Sequence, residues 1–218
     1  MSEAHAGVLQ HHFEDLEQQK ASSTLGMWVF IAQEVLFFGG LFTTYAIYRF
    51  LYPEAFAAGS HHLNVPLGAV NTAVLICSSL TMAMAVHASA LGHRKQIVAY
   101  LLLTVLLGSV FLGVKAVEYR EKFEHHLLPG ASFSADELHV EGEQARAAQI
   151  YFSLYFAMTG LHALHMVIGI PILLTLAALA HAGRYGPDYN TPVELTGLYW
   201  HFVDIVWIFL FPFLYLIR

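Results

Sequence analysis

The chain has 218 residues, of which 57% are hydrophobic and 12% charged, with a formal net charge of −6 and a mean hydropathy of +0.56. A soluble domain carries roughly 25% charged residues, so the charge here is too sparse to coat a water-facing surface and lipid must cover much of the exterior. The acidic balance excludes a basic footprint for nucleic acid, and the single cysteine, Cys77, excludes an internal disulfide.

In chain order, residues 1–24 form a polar, acidic N-terminal segment without the basic and apolar blocks of a cleavable signal, so the first helix is expected to act as its own insertion signal. Residues 25–218 are predicted to form one transmembrane domain, an all-α polytopic membrane bundle of five transmembrane helices. Five segments reach the ~20 mostly apolar residues that a span needs: residues 25–50, 67–91, 96–119, 148–180 and 193–217. The connection from Pro53 to Pro66, with two prolines and a glycine, reads as a loop. GHRKQ is a tight basic turn, residues 120–146 form the longest loop and are rich in acid, and HAGRYGPDYN joins the last two spans. No internal repeat is visible. Five spans put the termini on opposite sides. Lys20, Arg94, Lys95 and Arg184 lie with the N-terminus, against Arg49, Arg120, Lys122, Arg146 and Arg218 on the far side. The charges nearly balance, and the compact Arg94–Lys95 turn slightly favours a cytoplasmic N-terminus and a periplasmic C-terminus.

The second span carries small residues at every fourth position: Ala69, Ala73, Cys77, Thr81, Ala85 and Ser89. Such a stripe lets helix backbones approach closely in lipid, either inside the bundle, the stronger reading, or against another subunit. Pro171 and Pro212 each remove a backbone hydrogen bond inside a span, which predicts a kink at Pro171. Trp200 and Trp207, seven apart, mark a packing or lipid-interface face.

The ionisable residues inside the spans carry most of the chemical information, because each needs a partner, a cavity or a proton. Glu34 lies nine residues into the first span, about 14 Å deep at 1.5 Å per residue, near the midplane. It reads as a proton-exchanging or channel-lining carboxylate, or as a carboxyl hydrogen-bonded within the bundle. His201 and Asp204 share a face through their three-residue spacing and are a candidate buried pair. His162 and His165 repeat that spacing in GLHALH, and His87 completes an intramembrane histidine set. Lys115 and Glu118, also three apart, are expected to pair or to reach the interface. Isolated HxxH spacing is weak support for a metal or haem, and no HExxH, ExxH or cysteine set accompanies it. Structural bonding of these histidines between helices is therefore the expectation, with no metal site and no catalytic residue. His5, His11, His12, His61, His62, His125 and His126 read as solvated. No phosphate loop, GxSxG or cysteine–histidine dyad is present.

Five ordered motifs then carry a resemblance along nearly the whole chain. TLGMWVFIAQEVLFFGGLF, VNTAVLICSSLTM followed by GHRK, LGSVFLGVKAVEY, YFSLYFAMTGLHALHMVIG and YWHFVDIVWIFLFPFLYL resemble, in that order, helices of cytochrome c oxidase subunit III. HHFEDLEQQKASSTLG resembles the N-terminal lead of bacterial members. The resemblance implies a helical bundle beside the catalytic subunit, with a membrane-embedded glutamate at Glu34 that supports proton uptake or oxygen access. It implies no redox cofactor in this chain, haems and copper in partner subunits I and II, and bound phospholipid in a cleft between helix groups. The implied location is the bacterial inner membrane. Longer members have seven helices, of which this chain matches the last five, and part of the lipid cleft would then come from another subunit. The acidic loop 120–146 is longer than in the mitochondrial form and is expected to touch a partner on the outer face, such as a cytochrome c domain or a respiratory supercomplex. The competing readings are a quinol oxidase subunit III, against which Glu34 argues, and a nitric-oxide-reductase-associated subunit. A stand-alone b-type cytochrome using His87, His162, His165 and His201 is a different class, and a transporter fits poorly without an inverted repeat.

Overall fold

A computed structural model describes residues 9–130, 133–134, 138 and 140–217. These residues form six helices: α1 (Leu16–Leu51), α2 (Pro53–His61), α3 (Val65–Ala90), α4 (Arg94–Glu124), α5 (Glu143–His181) and α6 (Thr191–Tyr215). All but α2 are long and apolar enough to cross a membrane. The described residues contain no strand beyond an isolated bridge between Gly186 and Tyr189.

The stretch read as the loop 120–146 is shorter than expected, because α4 runs on to Glu124 and α5 begins at Glu143, each five residues beyond the predicted span. Two further departures have a local cause. α1 starts at Leu16, inside the segment read as polar and N-terminal, because Asp15 caps it by accepting the Gln18 N–H at 2.7 Å, with Glu17 in the first turn. A count of apolar residues sees only the lipid-facing length of a helix and misses such a capped overhang. The connection read as a loop contains α2. Pro53 stands at its first turn, where a missing N–H costs nothing, Glu54 follows, and Ala55 and Phe56 are fully buried. Gly59 lets this short helix lie on α5, since a Cβ there would stand 2.4 Å from the Tyr151 ring. The 39 residues of α5 span about 58 Å, so this helix projects well beyond a ~30 Å hydrocarbon layer.

α6 is the centre of the bundle and packs against α3, α5 and α1, while α3 and α4 form the most extensive pair. α1 lies at the edge: its buried residues are Glu34, Phe38 and Tyr45, while Trp28, Leu36 and Phe50 face outward. Trp200 and Trp207 both turn inward and are fully buried, each indole N–H donating to α3 at 3.0 Å, Trp200 to Ser78 Oγ and Trp207 to Thr72 Oγ1. Trp200 sits in a slot left by two glycines. A Cβ would stand 3.0 Å from its ring at Gly108 on α4 and 2.9 Å at Gly169 on α5. The last turn of α6 has carbonyls without helical partners. Tyr151 of α5 donates to Leu214 O at 2.8 Å, and the Tyr45 hydroxyl of α1 donates to Phe213 O. The α3 stripe divides: Thr81, Ala85 and Ser89 pack inside the bundle, whereas Ala69, Ala73 and Cys77 remain exposed on its outside.

Candidate functional site

The intramembrane polar residues gather into three clusters, each drawing on helices distant in sequence. The most enclosed surrounds Lys115 and Glu118 on α4. Their three-residue spacing places Lys115 Nζ 3.1 Å from Glu118 Oε2. α5 and α6 then each contribute a tyrosine. Tyr155 and Tyr215 donate to Glu118 Oε1 at 2.7 and 2.5 Å, and accept from Lys115 Nζ at 3.3 and 2.8 Å. The ammonium also lies 5.0 Å from the Trp207 ring centre, a favourable cation–π distance. Both charges are almost wholly buried, at 3% and 1% exposure. Alongside, Tyr119 and Thr159 join α4 to α5 through a 2.5 Å hydroxyl–hydroxyl bond. The sequence signalled the charge pair but not the tyrosines, whose spacing on separate helices has no local signature.

The second cluster joins α1 to α5. Glu34 Oε2 stands 3.4 Å from His165 Nε2, with side-chain exposures of 11% and 15%. The other imidazole nitrogen, Nδ1, lies 2.8 Å from Leu161 O, and Tyr199 of α6 donates to His165 O at 2.8 Å. Phe38 and Tyr199 rings flank the imidazole. At 3.4 Å the contact is an ion-pair distance and not a hydrogen bond, and Glu34 Oε2 is buried without one, so a proton can pass between the two only after the side chains close on each other. Between α1 and α6 an open apolar groove of about 500 Å³ reaches Phe38, whose ring touches that of His165, and is lined as well by Val35, His201, Ile205 and Phe209; neither Glu34 nor His165 lines it.

The third cluster lies between α3 and α6. His201 and Asp204 share a face of α6, but the expected bond between them does not form. His201 Nδ1 instead pairs with Ser79 Oγ of α3 at 2.8 Å. Both Asp204 oxygens are buried without a hydrogen bond, although Ser79 neighbours them. A three-residue helical offset brings side chains near one another without making them converge, and Ser79 captures the imidazole first.

His162 departs from the expectation of a bonded structural histidine. It is 1% exposed, neither ring nitrogen has a hydrogen bond, and it packs against Phe111 and Trp207. His87 is exposed on α3. Among the described residues no three His, Cys, Asp or Glu side chains converge as ligands for a metal ion. Of the histidines read as solvated, His11, His12, His61, His125 and His126 are exposed, while His62 is half-buried and its carbonyl accepts from Lys122 Nζ at 2.5 Å. His5 and Arg218, and Asp136 and Glu137 of the acidic loop, lie outside the described residues.

The fold and these clusters define a multi-pass membrane helical bundle whose intramembrane polar groups mainly join one helix to another. The particular family follows from comparison with known proteins: the chain belongs to the cytochrome c oxidase subunit III family, whose model matches residues 6–217. It is 34% identical to a cytochrome c oxidase subunit 3 of Corynebacterium diphtheriae over 89% of this chain and 88% of that protein. The identity is also 34% to the subunit 3 of Loxodonta africana, over 96% of this chain and 74% of the longer relative. A cytochrome bo(3) ubiquinol oxidase subunit 3 of Pseudomonas aeruginosa is 29% identical over 98% of this chain and 93% of its own length. The chain is thus a transmembrane subunit III of a haem–copper oxidase complex.

Proposed function

We propose that this chain acts in a proton-pumping cytochrome c oxidase of aerobic respiration as the subunit without redox centres. In this reading it stabilises the catalytic subunit and supports proton uptake or oxygen access at Glu34. Subunits I and II hold the haems and copper, reduce oxygen and move the pumped protons. The observation that carries the reading is the Glu34–His165 pair between α1 and α5, with the apolar groove reaching the neighbouring Phe38. Ionisable groups inside a span are costly and mark functional sites by default, and the groove suits apolar oxygen or an acyl chain of bound phospholipid. The chain would lie in a bacterial inner membrane with its N-terminus cytoplasmic, which the exposed Arg94–Lys95 turn supports. The described part of the 120–146 segment lies at the opposite end of the bundle, packed on it through Leu127, Phe133 and Leu138 while Glu121, Glu124 and Glu141 stay exposed, and a cytochrome c or a supercomplex partner would meet it there. A quinol-oxidising complex is the second reading, favoured by the Pseudomonas relative's match along nearly the full chain.

Affinity purification in mild detergent tests the assignment: subunits I and II should co-purify, with haem lost when this chain is stripped free. Haem retained by the isolated chain would instead make the intramembrane histidines ligands. Glu34→Gln tests the site. The variant complex should assemble with an unchanged haem spectrum, while its turnover falls or its oxygen KM rises. Turnover and oxygen KM like those of the unaltered complex would remove Glu34 from the reading, and failure to assemble would make it a structural residue.

A further inference from the structure

The pocket around Ser79, His201 and Asp204 opens on the outside of the bundle, between α3 and α6, with a volume of about 330 Å³. Ser79 and Asp204 fall near the middle of their helices, so the cluster lies roughly 15 Å from either edge of the hydrocarbon layer. Three polar side chains here share little hydrogen bonding: Ser79 pairs with His201 and only neighbours Asp204. His201 is half-buried, and its Nε2 has no partner among the described residues, since its bond to Ser79 uses Nδ1. Asp204 is 3% exposed and neither oxygen is bonded. Polar groups left unpaired in hydrocarbon cost several kcal/mol each, and lipid headgroups are too far away to satisfy them. Ile76, Leu80, Ile205 and Ile208 line the rest of the pocket and, like Ala69, Ala73 and Cys77 further along α3, are exposed. That is the surface a close-packing transmembrane helix requires.

We propose that this pocket is a docking site for a transmembrane helix of another oxidase subunit, which places a hydroxyl, amide or indole side chain against His201 and Asp204 at mid-membrane depth. The proposal rests on the chain's place in an oxidase complex and adds where the contact is made and by what chemistry. The α3–α6 surface is the interface, and the Lys115–Glu118 end of the bundle is internal. His201 Nε2 offers one bond to the incoming group. A small rotation of the Asp204 side chain toward the pocket offers a second.

The test uses the complete complex carrying a photo-crosslinking amino acid at Ile76 or Ala83, both exposed beside the pocket and away from the α1–α6 groove, or at Leu36, exposed on the remote face of α1. Irradiation at Ile76 and Ala83 should join this chain to a haem-bearing oxidase subunit, whereas Leu36 should give at least tenfold less of that product. In parallel, His201→Leu and Asp204→Asn should each lower the fraction of this chain retained by the complex after a detergent wash about tenfold. The isolated chain should keep its helical content and thermal midpoint. Co-purification of the partners with crosslinks at Leu36 but not at Ile76 or Ala83 would overturn the placement and leave the family reading intact. Crosslinks to lipid alone at Ile76 and Ala83 would do the same. Absence of any oxidase partner from the purified sample would overturn both.

Discussion

Glu118→Leu is expected to destabilise the subunit by about 3–5 kcal/mol, the usual cost of removing one partner from a buried charge pair. The substitution leaves the Lys115 ammonium in a site where it is 3% exposed, with only the Tyr155 and Tyr215 hydroxyls as oxygen partners. Those hydroxyls lose their own acceptor at the same time. At 3% exposure the ammonium is closed off from solvent. α4, α5 and α6 meet at this point, so the loss should appear as a fall in the thermal midpoint of the subunit and in its yield within the complex. The double variant Lys115→Met/Glu118→Leu removes both charges and replaces them with apolar volume, and it should recover most of the loss. A Glu118→Leu subunit as stable as the unaltered one would mean that the tyrosines, not the ion pair, hold the three helices together. A double variant worse than the single one would mean that the charges specify the packing rather than merely tolerate each other.

The second large effect is expected at Gly169. Valine there should cost about 1–3 kcal/mol, the range for overfilling a packed interior. Its Cβ would stand 2.9 Å from the Trp200 ring and 3.1 Å from Tyr199. Trp200 cannot yield easily: it is fully buried, tied to Ser78, and bounded on its other side by Gly108. Tyr199 also bonds the His165 backbone, so its displacement should be transmitted to the Glu34–His165 pair. Gly169→Val should therefore lower both the thermal midpoint and turnover. Gly113→Ala is the control, because a Cβ there meets nothing within 4 Å, and alanine should be neutral or slightly stabilising in a helix. Equal effects at the two positions would show that any glycine replacement in the spans is harmful and that the Trp200 slot is not special.

The polar lead and the Pro53–Pro66 connection illustrate where sequence reasoning stops at the membrane edge. The N-terminal lead looked like a tail because it lacks apolar length, yet Asp15 and Glu17 start a helix there. The Pro53–Pro66 connection looked like a loop because its punctuators are turn residues, but proline at a first turn also starts a helix, and Phe56 anchors it in the core.

What the sequence by itself determined is what depends on local length and spacing. Five apolar runs of spanning length set the number of membrane helices, and the three-residue interval brought Lys115 to Glu118. The tertiary structure alone decided which group each buried polar side chain meets. His165 faces Glu34 from α5, Ser79 takes His201 across 122 positions, and Tyr215 reaches Glu118 across 97. The physical reason is that helices in lipid are apolar all round, so periodicity does not mark the face that packs inward. The choice of face is made by shape, by glycine slots such as that around Trp200, and by hydrogen bonds between helices.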